Sequence, residues 1–270
     1  MDWCLGDSHG MFHTTRRLVN KIFKEDDDPT FVFLGDYVDR GFFSKQLIDY
    51  LISLNETHQC VFLLGNHDDV VQHFLVGECK SDLNELVRYP NQIGHVLWWF
   101  IEFGFDLTLK SYGVDFSDLT DRWSFRQQGS TVIERFQTAV PQAHKDFFDN
   151  LRMLWSNKTH FACHGFMPLS EKRPDQLWFS KSLATEVLWG RFSGNEDSGL
   201  RTEPSPEWDR IGVFGHTITE TYGKCEPVSV GKVRLLDLGS FCGSQMAAYC
   251  CQEDRFLVVK NHSKDGRPFD

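Results

Sequence analysis

The chain has 270 residues, 41% of them hydrophobic and 14% aromatic, so it can bury a core, and disordered, collagen-like and low-complexity classes are excluded. With 28 Lys and Arg against 38 Asp and Glu the formal charge is −10. That balance argues against a protein that follows a nucleic-acid backbone by bulk attraction, and any phosphate must be handled at a local site. The apolar runs are too short to span a membrane, and Asp2 and Asp7 stand where a secretory signal would need basic and apolar residues. Eight cysteines without CxxC spacing read as reduced thiols, which points to the cytoplasm.

In chain order, a short strand at 3–5 runs into Gly6-Asp7-Ser8-His9-Gly10, and Leu18, Val19, Ile22 and Phe23 mark the helix that follows. The acidic run Glu25-Asp26-Asp27-Asp28 reads as a solvated loop. A buried strand at 30–34 ends in Gly35-Asp36-Tyr37-Val38-Asp39-Arg40-Gly41; after a helix near 47–54, a third strand at 60–64 ends in Gly65-Asn66-His67-Asp68. Three strand–loop–helix units in succession predict a parallel or mixed sheet. Residues 78–158 read as a mainly helical insertion whose aromatic stripe fills a core and whose helices cap the site. Strand patterns return at 159–163, 211–214, 232–237, 245–250 and 256–259, and their adjacency predicts hairpins; 192–210 read as a polar surface loop and 261–270 as a frayed tail.

Each of the first three strands thus ends in a glycine-flanked loop bearing Asp, Asn or His. Two later apolar runs end in His164-Gly165 and Gly215-His216. Sites in α/β sheets form at the carboxyl ends of strands, so Asp7, His9, Asp36, Asn66, His67, His164 and His216 are expected to converge. Carboxylate, imidazole and amide donors together suit Mn²⁺, Fe or Zn²⁺ rather than Ca²⁺, and there are more of them than one ion needs. Asp36, in the middle motif, is the natural bridge between two ions. His73, His95, His144 and His160 lack such context and read as core or surface residues.

The three loops resemble the GDxHG, GDxxDRG and GNH[DE] signatures of the PPP-type metallophosphoesterases, which include serine/threonine protein phosphatases and symmetrical dinucleoside tetraphosphatases. The resemblance covers 2–77 and 159–260. It implies one α/β domain over 1–270, with two mixed β-sheets in a sandwich flanked by helices (four layers, α/β/β/α). It also implies two divalent ions, Mn²⁺ first and Fe or Zn²⁺ as alternatives. Asp7, His9 and Asp36 would hold one ion, and Asp36, Asn66, His164 and His216 the other. Arg40 and Asn66 would bind phosphate, His67 would act as general acid paired to Asp39, and hydroxide bridging the ions would attack phosphorus. Glu186-Val187-Leu188-Trp189-Gly190-Arg191 resembles the stretch carrying a second phosphate-binding arginine, Arg191.

The implied activity is hydrolysis of phosphomonoesters, with a phosphorylated protein or small phosphoester as partner and neither nucleic acid nor membrane. A dinucleoside polyphosphate hydrolase is the alternative, favoured by Leu64, Asp68 and the turn Asp237-Leu238-Gly239, where Asp237 reads as structural. A phosphate-sensing pseudophosphatase is the non-enzymatic reading; it predicts loss of the acid or a ligand, and none is missing.

Overall fold

Strands β1 (Asp2–Leu5), β2 (Thr30–Phe33) and β3 (Cys60–Phe62) are short and almost wholly apolar, as strands covered on both faces are. In the computed structural model, which describes residues 1–89, 91–202 and 205–266, they pair in parallel, with Cys4 opposite Val32 and Phe33 opposite Phe62. Helices α1 (Phe12–Ile22) and α2 (Ser44–Thr57) make the crossovers, burying Leu18, Val19 and Ile22, and Leu47, Ile48 and Leu51, on one face each. The β3 crossover opens with α3 (Asn66–Val76) and continues through α4 (Leu83–Leu86), α5 (Ile93–Ile101), α6 (Phe105–Ser111), α7 (Arg122–Ala139) and α8 (Gln142–Asp149).

The chain then builds a second sheet from β4 (Trp155–Ser156), β5 (His160–Ala162), β8 (Ile211–Phe214), β9 (Val228–Val230) and β10 (Val233–Leu235), in the order β4-β5-β8-β10-β9. Between β5 and β8 lie α9 (Lys181–Trp189) and a small ribbon of β6 (Gly194–Asn195) and β7 (Gly199–Leu200). Finally β11 (Gln245–Cys250) and β12 (Arg255–Lys260) return to the first sheet, giving β12-β11-β1-β2-β3. Between the sheets Cys4, Val32, Leu34, Ala162, Val213 and Leu236 form one apolar cluster. A larger cluster joins the outer face of the first sheet to the helical segment through Leu51, Phe74, Phe100, Phe105 and Phe136. This is the two-sheet α/β architecture that the motifs implied. Among the described residues no helix is long and apolar enough to cross a membrane.

Three expectations need correction. Adjacency in sequence predicted hairpins throughout the last third; β11 and β12 do form one, but β8 and β10 pair in parallel and belong to the other sheet. The connection between them, carrying β9, turns the chain round, which no local pattern reveals. The 192–210 segment is not wholly a surface loop, because Phe192 and Trp208 are buried beside Phe214; residues 203–204 lie outside the described set.

The third concerns the tail. Residues 267–270 lie outside the described set, but 261–266 are docked rather than frayed: Asp265 is fully buried and accepts hydrogen bonds from the His13 and Thr14 amides (2.9 and 2.7 Å) and the Thr14 hydroxyl (2.5 Å). Helix α1 lacks a local side-chain cap, and a carboxylate some 250 residues away supplies it. Asp265→Ala is therefore expected to lower unfolding free energy by about 1–3 kcal/mol in urea titrations; an unchanged midpoint would mean that this cap carries no stability.

Candidate metal centre

The strand ends of both sheets converge on one cleft of about 390 Å³, lined by Asp36, Arg40, Asn66, His67, Arg191 and His216 together with Phe103, Trp189 and Ile218. Non-glycine residues at positive φ among the described ones are His9, Asp36, Asp39, Arg40, His216 and Asp254, and all but the last belong to this constellation. Such conformations cost of order 1–3 kcal/mol each and persist where surrounding structure over-determines them. Here Asp68 does much of that. Its carboxylate accepts from the amides of Asp36 (2.7 Å), Tyr37 (3.0 Å) and Gly65 (2.9 Å), tying the second loop to the third. Gly65 must be glycine, since a Cβ there would lie 2.2 Å from Asp36 Oδ1.

Asp36 stands at the middle. Its Oδ2 lies 3.4 Å from His9 Nε2 and its Oδ1 lies 3.4 Å from His164 Nε2. Two groups of buried donors share it: His9, Asp36 and His67, and Asp36, His164 and His216. The Asn66 amide oxygen joins the second, 2.8 Å from His164 Nε2 and 3.0 Å from His216 Nδ1. The far nitrogens of two rings are already engaged: His9 Nδ1 lies 2.9 Å from the Val38 carbonyl and His164 Nδ1 lies 2.8 Å from that of Leu34. In His9 the bond puts the proton on Nδ1 and aims the Nε2 lone pair inward, as metal-binding histidines require; in His164 it fixes the ring so that Nε2 faces Asp36 and Asn66. Asp7 is turned slightly away; its Oδ2 accepts from the His216 amide at 2.9 Å, and its buried Oδ1 has no hydrogen-bond partner.

The electrostatics ask for a cation. Burial pushes the Asp7 carboxyl well up, and Asp237 and Asp36 add to it against His164. Burial would lower the His164 imidazole, but the Asp36 and Asp7 carboxylates overrule it and push it up to about 10. His9 and His216 are held well below the ordinary imidazole value, first by burial and then by Arg40 and His164 respectively, so both present neutral rings. An orphaned buried carboxylate oxygen, an imidazole driven towards protonation and two neutral imidazoles together fit divalent ions.

Beside the donors lies a second arrangement. His67 Nδ1 is 2.6 Å from Asp39 Oδ2, while its Nε2 faces Arg40 Nη2 at 3.1 Å. An arginine can only donate, so Nε2 accepts and the ring proton sits on Nδ1, towards the carboxylate. Arg40 also stacks on Phe241, 4.3 Å from its centroid. Arg191, on the segment between α9 and β6, lines the same cleft. Thus every residue singled out from sequence comes to this one place, Asp7 with its carboxylate beside the shared groups rather than within them.

Sequence reading missed the residues that hold these. Thr108, on α6, donates its hydroxyl to Asp39 Oδ1 (2.6 Å) and accepts the Asp39 amide (2.8 Å); the Gly104 carbonyl accepts from the Arg40 amide at 3.2 Å. Nothing in the local pattern marks a threonine nearly 70 positions away as their partner. Of the remaining histidines, His144 pairs with the Tyr112 hydroxyl and Asp49, and His160 with the Tyr249 hydroxyl. Asp237 makes the expected turn, accepting from the Gly239 amide at 2.9 Å.

Comparison with known proteins decides the family. The calcineurin-like phosphoesterase profile matches residues 3–218. The chain belongs to that family. Over 81 residues it is 38% identical to the asymmetrical bis(5'-nucleosyl)-tetraphosphatase PrpE of Anoxybacillus flavithermus, covering 27% of this chain and 33% of that protein. Over 68 residues it is 38% identical to the serine/threonine-protein phosphatase SIT4 of Candida albicans, covering 23% and 22%. The matched segments thus span a third or less of these relatives.

Among solved structures, a protein provisionally described as a diadenosine tetraphosphatase shares the fold with a TM-score of 0.56 at 15% identity, over 97% of this chain and 94% of that one. A serine/threonine phosphatase of Saccharomyces cerevisiae does so at 0.51 and 14% identity, over 97% and 79%. Proteins of this phosphoesterase family use divalent metals, in keeping with the donor set here. Within the phosphoesterase cleft, Thr108→Val leaves the buried amide and Oδ1 of Asp39 without their partner. It is expected to destabilise the fold by about 1–3 kcal/mol by chemical denaturation, whereas Thr108→Ser should cost under about 1 kcal/mol; equal losses would show that packing, not the hydroxyl, matters.

Proposed function

We propose that the chain is a metal-dependent phosphatase that hydrolyses phosphomonoesters of the phosphoserine and phosphothreonine type. The observation that carries this reading is the carboxylate of Asp36, common to two donor groups and bordered by an Asp39–His67 pair and two arginines. Asp7, His9 and Asp36 would hold one ion and Asp36, Asn66, His164 and His216 the other, with Mn²⁺ preferred over Fe or Zn²⁺. When bound, two such ions supply positive charge for the phosphoryl oxygens and a nucleophile at neutral pH.

The protein's own groups do the rest. Arg40 and Arg191 orient the phosphoryl oxygens, and the Arg40 fork is suited to two of them at once. As Arg40 turns from His67 Nε2 to the phosphate, Nε2 becomes free to carry a proton taken up from the buffered solution, which replaces the one released there when the nucleophile forms. His67 then gives that proton to the departing alkoxide, and Asp39, held by Thr108, keeps Nδ1–H in place and stabilises the imidazolium. Phosphoryl transfer needs mainly positioning and charge, which this set of groups can provide.

A second reading, hydrolysis of dinucleoside polyphosphates, is favoured by the cleft wall. Trp189 stacks on Trp99 (5.5 Å between centroids, 29°) and Phe103 stands edge-on to Trp99 at 5.3 Å, giving a planar base something to lie against. Similarity to PrpE points the same way. Turnover of a phosphoserine peptide against diadenosine tetraphosphate, each with Mn²⁺ and with chelator, separates the two; faster hydrolysis of the dinucleotide would overturn the first reading.

Asp36→Asn is expected to abolish activity and to lower bound metal from two ions to fewer than one per chain by plasma mass spectrometry. Retained activity would exclude a shared ligand. His67→Asn should lower kcat by about 10²–10⁴-fold for alkyl phosphates and much less for p-nitrophenyl phosphate, whose leaving group departs without a proton. Equal losses on both would remove His67 as the acid.

A further inference from the structure

A second concave surface lies away from the cleft. Helix α1 and the end of β12, with the residues just after each, enclose a groove of about 630 Å³ whose lining includes Arg16, Arg17, Lys21, Lys24, Lys260 and Lys264. Six of the chain's 28 lysines and arginines gather here, in a protein whose formal charge is −10. Five of the six are exposed and Lys21 is half-buried. None of them has a carboxylate within ion-pair distance among the described residues. Where their bonds are seen they go to neutral carbonyls: Arg17 donates to Lys260 and Asn261, and Lys21 to Val258. These bonds fix the two side chains without cancelling their charge, and they cover the open edge of β12 against strand pairing. Among the described residues of the groove-forming segments the one acid, Asp265, is fully buried and occupied at the α1 terminus. Beyond Lys24, Glu25 is turned to Arg255 and Asp26 to the chain's amino group.

We propose that this groove docks a short acidic segment of a partner protein, a run of Glu or Asp in extended form. From His13 to Ile22 the α1 wall rises about 14 Å, the reach of about four extended residues, and Lys24 lies in the turn beyond it. Cations lie along both walls, so side chains alternating to either side of an extended strand would each meet positive charge. A single nucleic-acid strand fits less well. Among the described residues the lining holds no Phe, Tyr or Trp for bases to stack on, and the acidic remainder of the surface repels a long polyanion. A membrane surface fits less well too, because the face is concave and its apolar residues, Val258 and Val259, are half-buried and buried rather than exposed. The groove shares no lining residue with the metal centre, so the inference stands apart from the reading of the cleft.

The test uses the full chain and a fluorescein-labelled oligoglutamate of about eight residues, followed by anisotropy at low and near-physiological salt. The peptide is expected to bind, more weakly as salt rises. The triple variant Arg16→Glu, Lys24→Glu, Lys264→Glu should bind it at least about tenfold more weakly, with p-nitrophenyl phosphate turnover unchanged. Should that variant fail to fold, the neutral pair Arg16→Gln, Lys264→Gln should still lose about threefold. Absent peptide binding, or equal affinity in the variants, would overturn the proposal. So would tighter binding of an oligothymidylate of similar charge, or sedimentation with phosphatidylserine vesicles in place of peptide binding.

Discussion

Asp36 sits at the end of β2 with φ of 54°, a conformation its side chain disfavours, and the Asp68 carboxylate holds it there by receiving its amide and those of Tyr37 and Gly65. From that strained position the carboxylate reaches towards both sheets, its Oδ1 also accepting the His67 amide at 3.0 Å. His9 approaches from the loop after β1, the neighbouring strand of the same sheet, whereas His164 comes from the second sheet and can be near Asp36 only when the two sheets pack face to face. The apolar cluster between the sheets thus holds the donor groups in place. Burial that stabilises the sandwich also strips water from Asp7 and Asp36 and raises their demand for positive charge.

The helical segment between β3 and β4 touches this centre more closely than a cover would. Gly104 receives the Arg40 amide, with no room for a Cβ against the Arg40 backbone, and Thr108 grips Asp39 on both its amide and its carboxylate. Trp99 meanwhile stacks on Trp189 and carries Phe103 edge-on against its own ring. One stretch of helices therefore shapes the cleft wall and steadies the loop that bears Asp39 and Arg40. Because Phe100 and Phe105 belong to the same core as Phe74 and Leu51, displacing these helices would disturb the packing of the first sheet as well.

Charge is unevenly laid out. The acidic total hides two positive regions, Arg40 and Arg191 in the cleft and the six cations along α1 and β12. Their effect is local, since fields from exposed charges fade over about 8–10 Å at physiological salt. An anion close to either region meets it rather than the molecule's net charge.

The sequence by itself determined the strand-end loops and their chemistry. Asp7, His9, Asp36, Asn66, His67, His164 and His216 could be named because each follows an apolar run and flanks a glycine, a local pattern set by how a buried strand must end. It did not determine which later strands join which sheet, since β8 and β10 pair in parallel through a connection with no periodic signature. Nor could it disclose Thr108, Asp68 or Asp265 as partners of distant amides: hydrogen bonds between residues far apart leave no spacing to read. The basic groove is of the same kind. Arg16 to Lys24 and Lys260 to Lys264 look like ordinary solvated surface until α1 packs on β12, because charge becomes a binding surface only when tertiary contacts bring separate segments within a screening length of one another.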